Sequence, residues 1–423
     1  MLKSEFSTKV NYFPQLLDKI KTKNACVGII GVGYVGQALV RALLSAGYQT
    51  YGYDIDKDKL RSIDHKYFRP TTDIRNFENC DVICICVPTP LDRNRKPDLN
   101  CLRQASSDVA SLQRQGQLVI VESTVAPGTL RTFVLPIFEG SGKKCGRDFY
   151  LAISPERVDP GNTRFTIKNT PKVVGGIDEI SAFLAVEFYS NFIERVVPTT
   201  TAEVAELSKI LENTFRLVNI SLINEIKNYA DRSGIDIWEV IDTAATKPFA
   251  FMPHYPGPGV GGHCIPVDPV YLVEEARNKG VRLGIVESAI AVNEAQPKKI
   301  VQEAKKALNG RPNGKKAKML LVGIAYKPGS SDTRESPALK IWEEAERRGF
   351  RVSYFDPHVP KLNGHASKPL NYETLLEQDV IIIATDHQGV PYEMLGSLNK
   401  PIIDSRNILK KFARNNSLKS KDI

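Results

Sequence analysis

Cysteine is scarce in this chain of 423 residues: there are seven, an odd number, and none forms a CxxC pair. A disulfide framework is therefore not the expected organising device, and neither is a cysteine zinc site. Cys80, Cys84 and Cys86 sit in or beside one apolar, strand-like run, which suits a reducing compartment. No apolar stretch is long enough to cross a bilayer. Residues 1–24 mix Lys, Asp, Pro and aromatics without an unbroken apolar core, so they read as a short helical extension and not as a secretion signal. The cytoplasm is the expected location. Long runs of like charge are missing too. Lys and Arg number 57 against 48 Asp and Glu, a net charge of +9, yet the clusters are as short as Lys315-Lys316 and Lys410-Lys411. That counts against nucleic acid and leaves an anionic small ligand open. The chain has no GxSxG, no phosphate-loop lysine motif and no HExxH, and His254 and His263 lack a third partner, so no metal is expected.

The length is too great for one core and implies two or three domains. The expected fold is α/β: two Rossmann-like doubly wound parallel sheets joined by a long-helix central domain. Cys26 to Ile30 forms a strand that runs into Gly31-Val32-Gly33-Tyr34-Val35-Gly36, then into helical spacing that Gly47 stops. A second strand, Gln49 to Tyr53, ends in Asp54. Further apolar runs at Asp81–Val87, Leu118–Glu122 and Tyr150–Ile153 alternate with helical patterns, so the sheet is mostly parallel. From Thr201 to Gly234 the spacing predicts one long helix, capped by Thr200 or Thr201. Leu207, Ile210, Leu211, Phe215, Val218, Leu222 and Ile226 are more apolar positions than one monomer face buries, which makes this helix a candidate dimer surface. Residues 253–271 read as an irregular Pro/Gly-rich loop and Pro297–Leu308 as a helix. Asn309–Lys318 reads as a linker, followed by strands at Met319–Gly323, Arg351–Phe355 and Val380–Ala384, with a helix at Pro337–Arg348.

Gly31, Gly33 and Gly36 have the spacing of a dinucleotide cradle. It follows a strand, opens a helix, and is followed about twenty residues on by an acid at a strand end. Asp54 would bond the ribose hydroxyls and repel a 2′-phosphate, so NAD is expected and not NADP. Lys59 either reaches the ribose or stays solvated. A second constellation is Pro256-Gly257-Pro258-Gly259-Val260-Gly261-Gly262-His263-Cys264-Ile265-Pro266-Val267-Asp268. A cysteine ending a glycine-rich loop can be approached closely, and local N–H groups can hold its thiolate or an oxyanion. His263 either lowers the pKa of Cys264 or packs. Lys209 and Asn213, four apart, share one helix face. Glu156, in Ser154-Pro155-Glu156-Arg157 after a strand, falls at a carboxyl edge of the sheet, the alternative being a solvated surface carboxylate.

With Val87-Pro88-Thr89-Pro90, Glu122-Ser123-Thr124 and Tyr326-Lys327-Pro328 followed by Asp332-Thr333-Arg334-Glu335-Ser336, these motifs resemble, in order and over nearly the whole chain, the UDP-glucose/GDP-mannose dehydrogenase family. The resemblance implies an NAD-binding domain over 25–198 and a central helical dimerisation domain with the cysteine loop over 199–308. It also implies a UDP-sugar-binding domain over 309–423, with residues 1–24 as an extension outside the family. It implies a homodimer and a four-electron oxidation of a sugar C6 alcohol through a Cys264 thiohemiacetal and thioester. Lys209 and Asn213 would stabilise oxyanions, Asp268 would assist proton transfer, and Glu156 and Thr124 would hold or activate water. Tyr34, Val35, Pro88, Thr89, Thr124 and Arg334 join the expected cofactor contacts. Arg157, Tyr255, Gly257, Gly261 and Lys327 join Glu156, Lys209 and Asn213 as substrate contacts. The Ser154–Gly161 run and the long cysteine loop resemble the branch acting on UDP-N-acetylhexosamines. UDP-N-acetylglucosamine is the first expectation, its mannosamine and galactosamine epimers come next, and UDP-glucose is the rival. The expected product feeds surface polysaccharide.

Overall fold

The computed structural model describes residues 12–158, 162, 164–308 and 316–410. Asp159-Pro160-Gly161 of the motif run and residues 309–315 of the expected linker lie outside them. The chain divides into two compact units: 1–212 with 270–280, and 213–269 with 281–423.

The first unit opens with α1 (Tyr12–Lys21), which buries Leu16 and Ile20. There follow β1 (Val27–Ile30), α2 (Tyr34–Ala46), β2 (Thr50–Tyr53), α3 (Lys57–Arg61), β3 (Phe68–Thr71), β4 (Val82–Ile85), α4 (Asn100–Leu112) and β5 (Leu118–Val121). Next come α5 (Leu135–Glu139), β6 (Tyr150–Ile153), β7 (Lys172–Gly176), α6 (Glu179–Ser190) and β8 (Val196–Pro198). Strands β1, β4, β5 and β6 are apolar at nearly every position and buried throughout, as strands covered on both faces must be. The eight strands run in the order β3-β2-β1-β4-β5-β6-β7-β8. All pairings are parallel except β6 with β7.

The register places the function. Val27 lies opposite Thr50 and Val82, Val82 opposite Leu118, and Leu118 opposite Tyr150. These strands therefore end level with one another. The segments that follow them, Gly31–Gly36, Asp54, Val87–Thr89, Glu122–Thr124 and Ser154–Glu156, emerge at one carboxyl edge. That edge is where open α/β sheets bind ligands.

Helix α7 (Ala202–Ser233) fills the long helical expectation, and Thr201 caps it by accepting the Val204 N–H at 3.4 Å. It begins in the first unit and ends in the second. The second unit adds α8 (Ile237–Ala244), the start of α9 (Asp268–Asn278) and α10 (Gly284–Ala307). Two boundaries differ from expectation. The cysteine loop ends before Asp268, because Asp268 starts α9 and places its carboxylate in the first turn. The helix expected from Pro297 starts at Gly284 and runs through the proline. Pro297 has no N–H to give the Asn293 carbonyl, which normally ends a helix. Here Ala289, Asn293, Gln296, Ile300, Val301 and Ala304 are all buried on one side, and that burial outweighs one lost bond.

After α10 come β9 (Lys318–Val322), α11 (Pro337–Arg347), β10 (Arg351–Phe355), the short antiparallel pair β11 (Lys361–Leu362) and β12 (His365–Ala366), α12 (Tyr372–Leu376), β13 (Val380–Ile383), α13 (Glu393–Gly396) and β14 (Ile402–Asp404). The second sheet has the order β10-β9-β13-β14 and is parallel throughout. Although it lacks the glycine triplet, it repeats the logic of the first. Gly323 leaves β9 at φ +85°, as Gly31 leaves β1 at φ +88°. Asp356 ends β10 as Asp54 ends β2. Its Oδ2 accepts the N–H groups of Ile324 and Ala325 at 2.7 and 3.0 Å and meets His387 at 3.0 Å. Burial pushes the Asp356 carboxyl up, but His387 and those N–H groups prevail and hold it at about 2.

Candidate functional site

In the first unit the cradle is built as its glycines require. A Cβ on Gly36 would sit 1.9 Å from the Gly31 carbonyl oxygen, so no other residue lets α2 pack so close to β1. Gly33 faces open space and caps α2 without a side chain, which leaves the helix N-terminus to an anion. Tyr34 and Val35 form the first turn of α2. Asp54 is buried; Oδ2 accepts the Val32 N–H at 2.9 Å and Oδ1 the Asp56 N–H at 2.9 Å. Lys59 stands 3.5 Å from Asp54 Oδ1, so it sits at the ribose acid and is only half-exposed. Thr89 donates its hydroxyl to the Thr124 carbonyl at 2.7 Å, joining two loops of the carboxyl edge, and Pro88 is exposed beside it. These residues fit a dinucleotide whose pyrophosphate lies on α2.

Glu156 is not the solvated carboxylate of the alternative reading. Its Oε1 accepts the N–H groups of Arg157 and Val158, both at 2.7 Å, and its Oε2 meets the buried Lys172 ammonium at 3.1 Å. Burial would raise the Glu156 carboxyl, but Lys172 and these N–H groups outweigh it and hold it below its ordinary value. Arg157 turns instead to Glu212 on α7, 2.6 Å away, and to the Pro171 carbonyl at 2.8 Å. The loop that carries Thr124 is pinned to α7 by Glu206, whose carboxylate accepts the N–H groups of Gly128 and Leu130 at 2.5 and 2.8 Å. Burial pushes Glu206 up to about 7 against those two donors. Lys209, three residues on, is half-buried and makes no hydrogen bond or ion pair among the described residues.

In the second unit Cys264 is partly exposed at the end of its loop. Its carbonyl accepts the N–H groups of Val267 and Asp268, at 3.1 and 2.8 Å, in the turn that leads into α9. Asp268 is buried and its Oδ2 accepts Nδ2 of buried Asn213 at 2.5 Å, so two of the residues chosen from sequence are bonded to each other. The two glycines before His263 serve close packing. A Cβ on Gly261 would meet the Glu335 carbonyl at 2.7 Å. Gly262, at φ +82°, lies against the Tyr326 ring and donates its N–H to the Arg334 carbonyl at 3.2 Å. Arg334 pairs with Asp332 through its guanidinium at 2.5 Å, and the Lys327 ammonium lies 5.7 Å from the Tyr326 ring centre. Gly257 donates to Asn224 Oδ1 at 2.9 Å.

Sequence reasoning missed a cavity of about 380 Å³ in this unit, lined among others by Trp238, Tyr255, Arg406 and Lys410. The Trp238 and Tyr255 rings stack at 5.5 Å and 14°, and Asp242 and Asp386 line the cavity with the two cations. Of these four, Tyr255 alone was chosen from sequence as a substrate contact. An Arg and a Lys just past the last strand of a doubly wound sheet were the available signal.

Fold and cradle together define an NAD-dependent oxidoreductase of the parallel-sheet dinucleotide-binding class. Residues 61–193, 203–295 and 320–411 match in turn the NAD-binding, central and UDP-binding domains of the UDP-glucose/GDP-mannose dehydrogenase family, and the chain belongs to that family. Residues 6–96, a stretch that includes the cradle, also match the NAD-binding domain of D-isomer specific 2-hydroxyacid dehydrogenases. The chain is 34% identical to the UDP-N-acetyl-D-mannosamine dehydrogenase of Pyrococcus horikoshii, over 91% of this chain and 96% of that one. It is 32% identical to the UDP-N-acetyl-D-glucosamine 6-dehydrogenase of Pseudomonas aeruginosa, over 86% and 91%. The solved structure of the Pyrococcus horikoshii enzyme superposes with a TM-score of 0.82 at 35% identity, covering 90% of this chain and 96% of that one.

Proposed function

We propose that this protein oxidises the C6 alcohol of a UDP-N-acetylhexosamine to the carboxylate in two NAD-dependent steps, with Cys264 as covalent nucleophile. The observation that carries this reading is the accessible Cys264, followed four residues on by a buried Asp268 that is bonded to Asn213. In the family to which the chain belongs, this is the chemistry such an array serves.

When bound, NAD accepts a hydride from the sugar carbon in each oxidation. Asp268 takes up the alcohol proton through water, and the Lys209 ammonium and the Asn213 amide stabilise the developing oxyanion. The Cys264 thiolate adds to the aldehyde carbon and gives a thiohemiacetal, which restores a hydride donor at a carbon already held by the enzyme. After the second oxidation the carbon is a thioester. Glu156 takes a proton from water that Thr124 helps to hold, and the C–S bond breaks to release the acid.

The cavity beside Trp238 and Tyr255 suits the uridine ring by stacking, and Arg406 and Lys410 suit the diphosphate. Residues 25–198, 199–308 and 309–423 serve as NAD-binding, central and UDP-sugar-binding segments. The exposed face of α7, with Val204, Leu207, Leu211, Phe215, Leu222 and Ile226 at helical spacing, is the surface of a homodimer. The manno epimer is the first substrate to assay, because the relative of wider coverage is named for it. The gluco epimer preferred from sequence comes second.

The test is NADH formed per sugar consumed, with UDP-N-acetylmannosamine, UDP-N-acetylglucosamine and UDP-glucose in parallel. About two NADH per N-acetylated sugar supports the reading. The same ratio with UDP-glucose alone overturns the substrate class, and about one per sugar overturns the thioester route.

A further inference from the structure

Lys172 and Glu122 take no step in this chemistry, yet they are buried against the residue that does. Lys172 opens β7, Glu122 follows β5, and Glu156 follows β6. Their side chains are 4%, 0% and 8% exposed. The Lys172 ammonium lies 2.6 Å from Glu122 Oε2, 3.1 Å from Glu156 Oε2 and 3.4 Å from the Ser154 carbonyl, so each of its three protons has an acceptor. Tyr189, on α6, donates its hydroxyl to Glu122 Oε1, and its ring lies 5.1 Å from the ammonium. The thiols of Cys84 on β4 and of Cys86 also approach the cluster, and burial keeps both well above their ordinary pKa.

A buried ion cluster is an expensive way to fill a core. Apolar residues of similar volume generally give equal or greater stability, and removal of a single partner is strongly destabilising. What the ions supply is geometry and charge state. With the N–H groups of Arg157 and Val158 on one oxygen and Lys172 on the other, Glu156 cannot rotate. The two carboxylates also differ. Burial dominates at Glu122 and raises it, whereas Glu156 is held down.

We infer that Lys172 is a positioning residue for the hydrolytic half of the reaction: it clamps Glu156 as an oriented carboxylate, and Glu122 and Tyr189 hold the ammonium in place. The inference rests on Glu156 being the base. In that step the water oxygen bonds to the thioester carbon, its proton goes to Glu156, and the C–S bond breaks with its electron pair on Cys264. Glu156 must then lose the proton to solvent before the next turnover, and the adjacent ammonium favours that loss. Neither oxidation uses it.

The experiment compares the full-length wild type with Lys172→Met, Lys172→Arg and Glu156→Gln, using the UDP-sugar that supports turnover. Rapid quenching and intact-protein mass spectrometry follow the acyl-enzyme, and stopped flow follows NADH. For Lys172→Met the first-turnover NADH rate stays within about threefold of wild type while kcat falls about 100-fold. The acyl-enzyme accumulates, and the acid limb of kcat moves to higher pH. Lys172→Arg restores part of kcat and of the limb. A Lys172→Met enzyme that slows NADH formation and hydrolysis equally, with no acyl-enzyme and an unmoved limb, overturns the inference. If Glu156→Gln itself accumulates no acyl-enzyme, the underlying assignment of the base fails instead. Should Lys172→Met not fold, Glu122→Gln/Lys172→Met removes one of the two carboxylates left without the ammonium, and the same two outcomes decide.

Discussion

Cys264 and Asn213 make different demands on their surroundings, and substitution separates them. Cys264→Ala retains binding of NAD and sugar nucleotide, while uronate formation falls by about 1,000-fold or more; product analysis against calorimetric binding checks both. Asn213→Ala leaves the buried Asp268 carboxylate without its amide donor. It should cost about 1–3 kcal/mol of stability and lower kcat by roughly 100-fold with a much smaller change in KM. Glu206 predicts a pH effect of definite sign. Its native carboxyl holds a proton to about 7, against 4.5 in the unfolded chain. The stability this group contributes is thus full below pH 4.5 and lost as pH rises through 7, a change of roughly 3 kcal/mol. Glu206→Gln should flatten the melting temperature over that interval. An identical slope in both proteins would mean that Glu206 is ionised in the native state throughout. Glu156 was legible as a candidate because it follows a strand and a proline. Lys172 and Glu206 were not, since their partners lie far away in sequence and a lone Lys or Glu in a strand or helix carries no local signal.

Among the elements, α7 and the cysteine loop carry the clearest consequences. The exposed apolar stripe of α7 is unusual for a helix in water, with Leu211 61% and Leu222 51% exposed. Leu211→Glu with Leu222→Glu should convert a dimer into monomers in sedimentation velocity; a wild type already monomeric at micromolar concentration would sink the dimer proposal. Gly262→Ala places a Cβ 2.9 Å from the Tyr326 ring at φ +82°. It should destabilise the protein by about 1–3 kcal/mol and reduce turnover, read by thermal unfolding and kcat together. The strands and the long helix were visible from periodicity because each is strongly patterned. The start of α10 was not, because Pro297 is a local stop signal that only burial against the second core overrides.

For the molecule as a whole, the family membership and the division into two units predict separable ligand effects. NAD and UDP should each raise the melting temperature alone, by about 2.7 kcal/mol of stabilisation at one hundred times its Kd. Asp54→Ala should abolish the NAD effect and spare the UDP effect; loss of both together would show that the two sites do not act separately. From the sequence alone followed the α/β class, the NAD cradle, the long helix and the choice of Cys264, Asn213, Asp268 and Glu156. The class, the cradle and the helix rest on local pattern, namely glycine spacing, strand ends and helical periodicity, and the choice of site residues rests also on the resemblance of the ordered motifs to the family. Tertiary structure alone decided that Asn213 meets Asp268, that Glu156 is clamped by Lys172, and that Trp238 stacks on Tyr255 beside Arg406. Those partners are distant in sequence, and only strand register and helix packing choose which buried polar groups must satisfy one another.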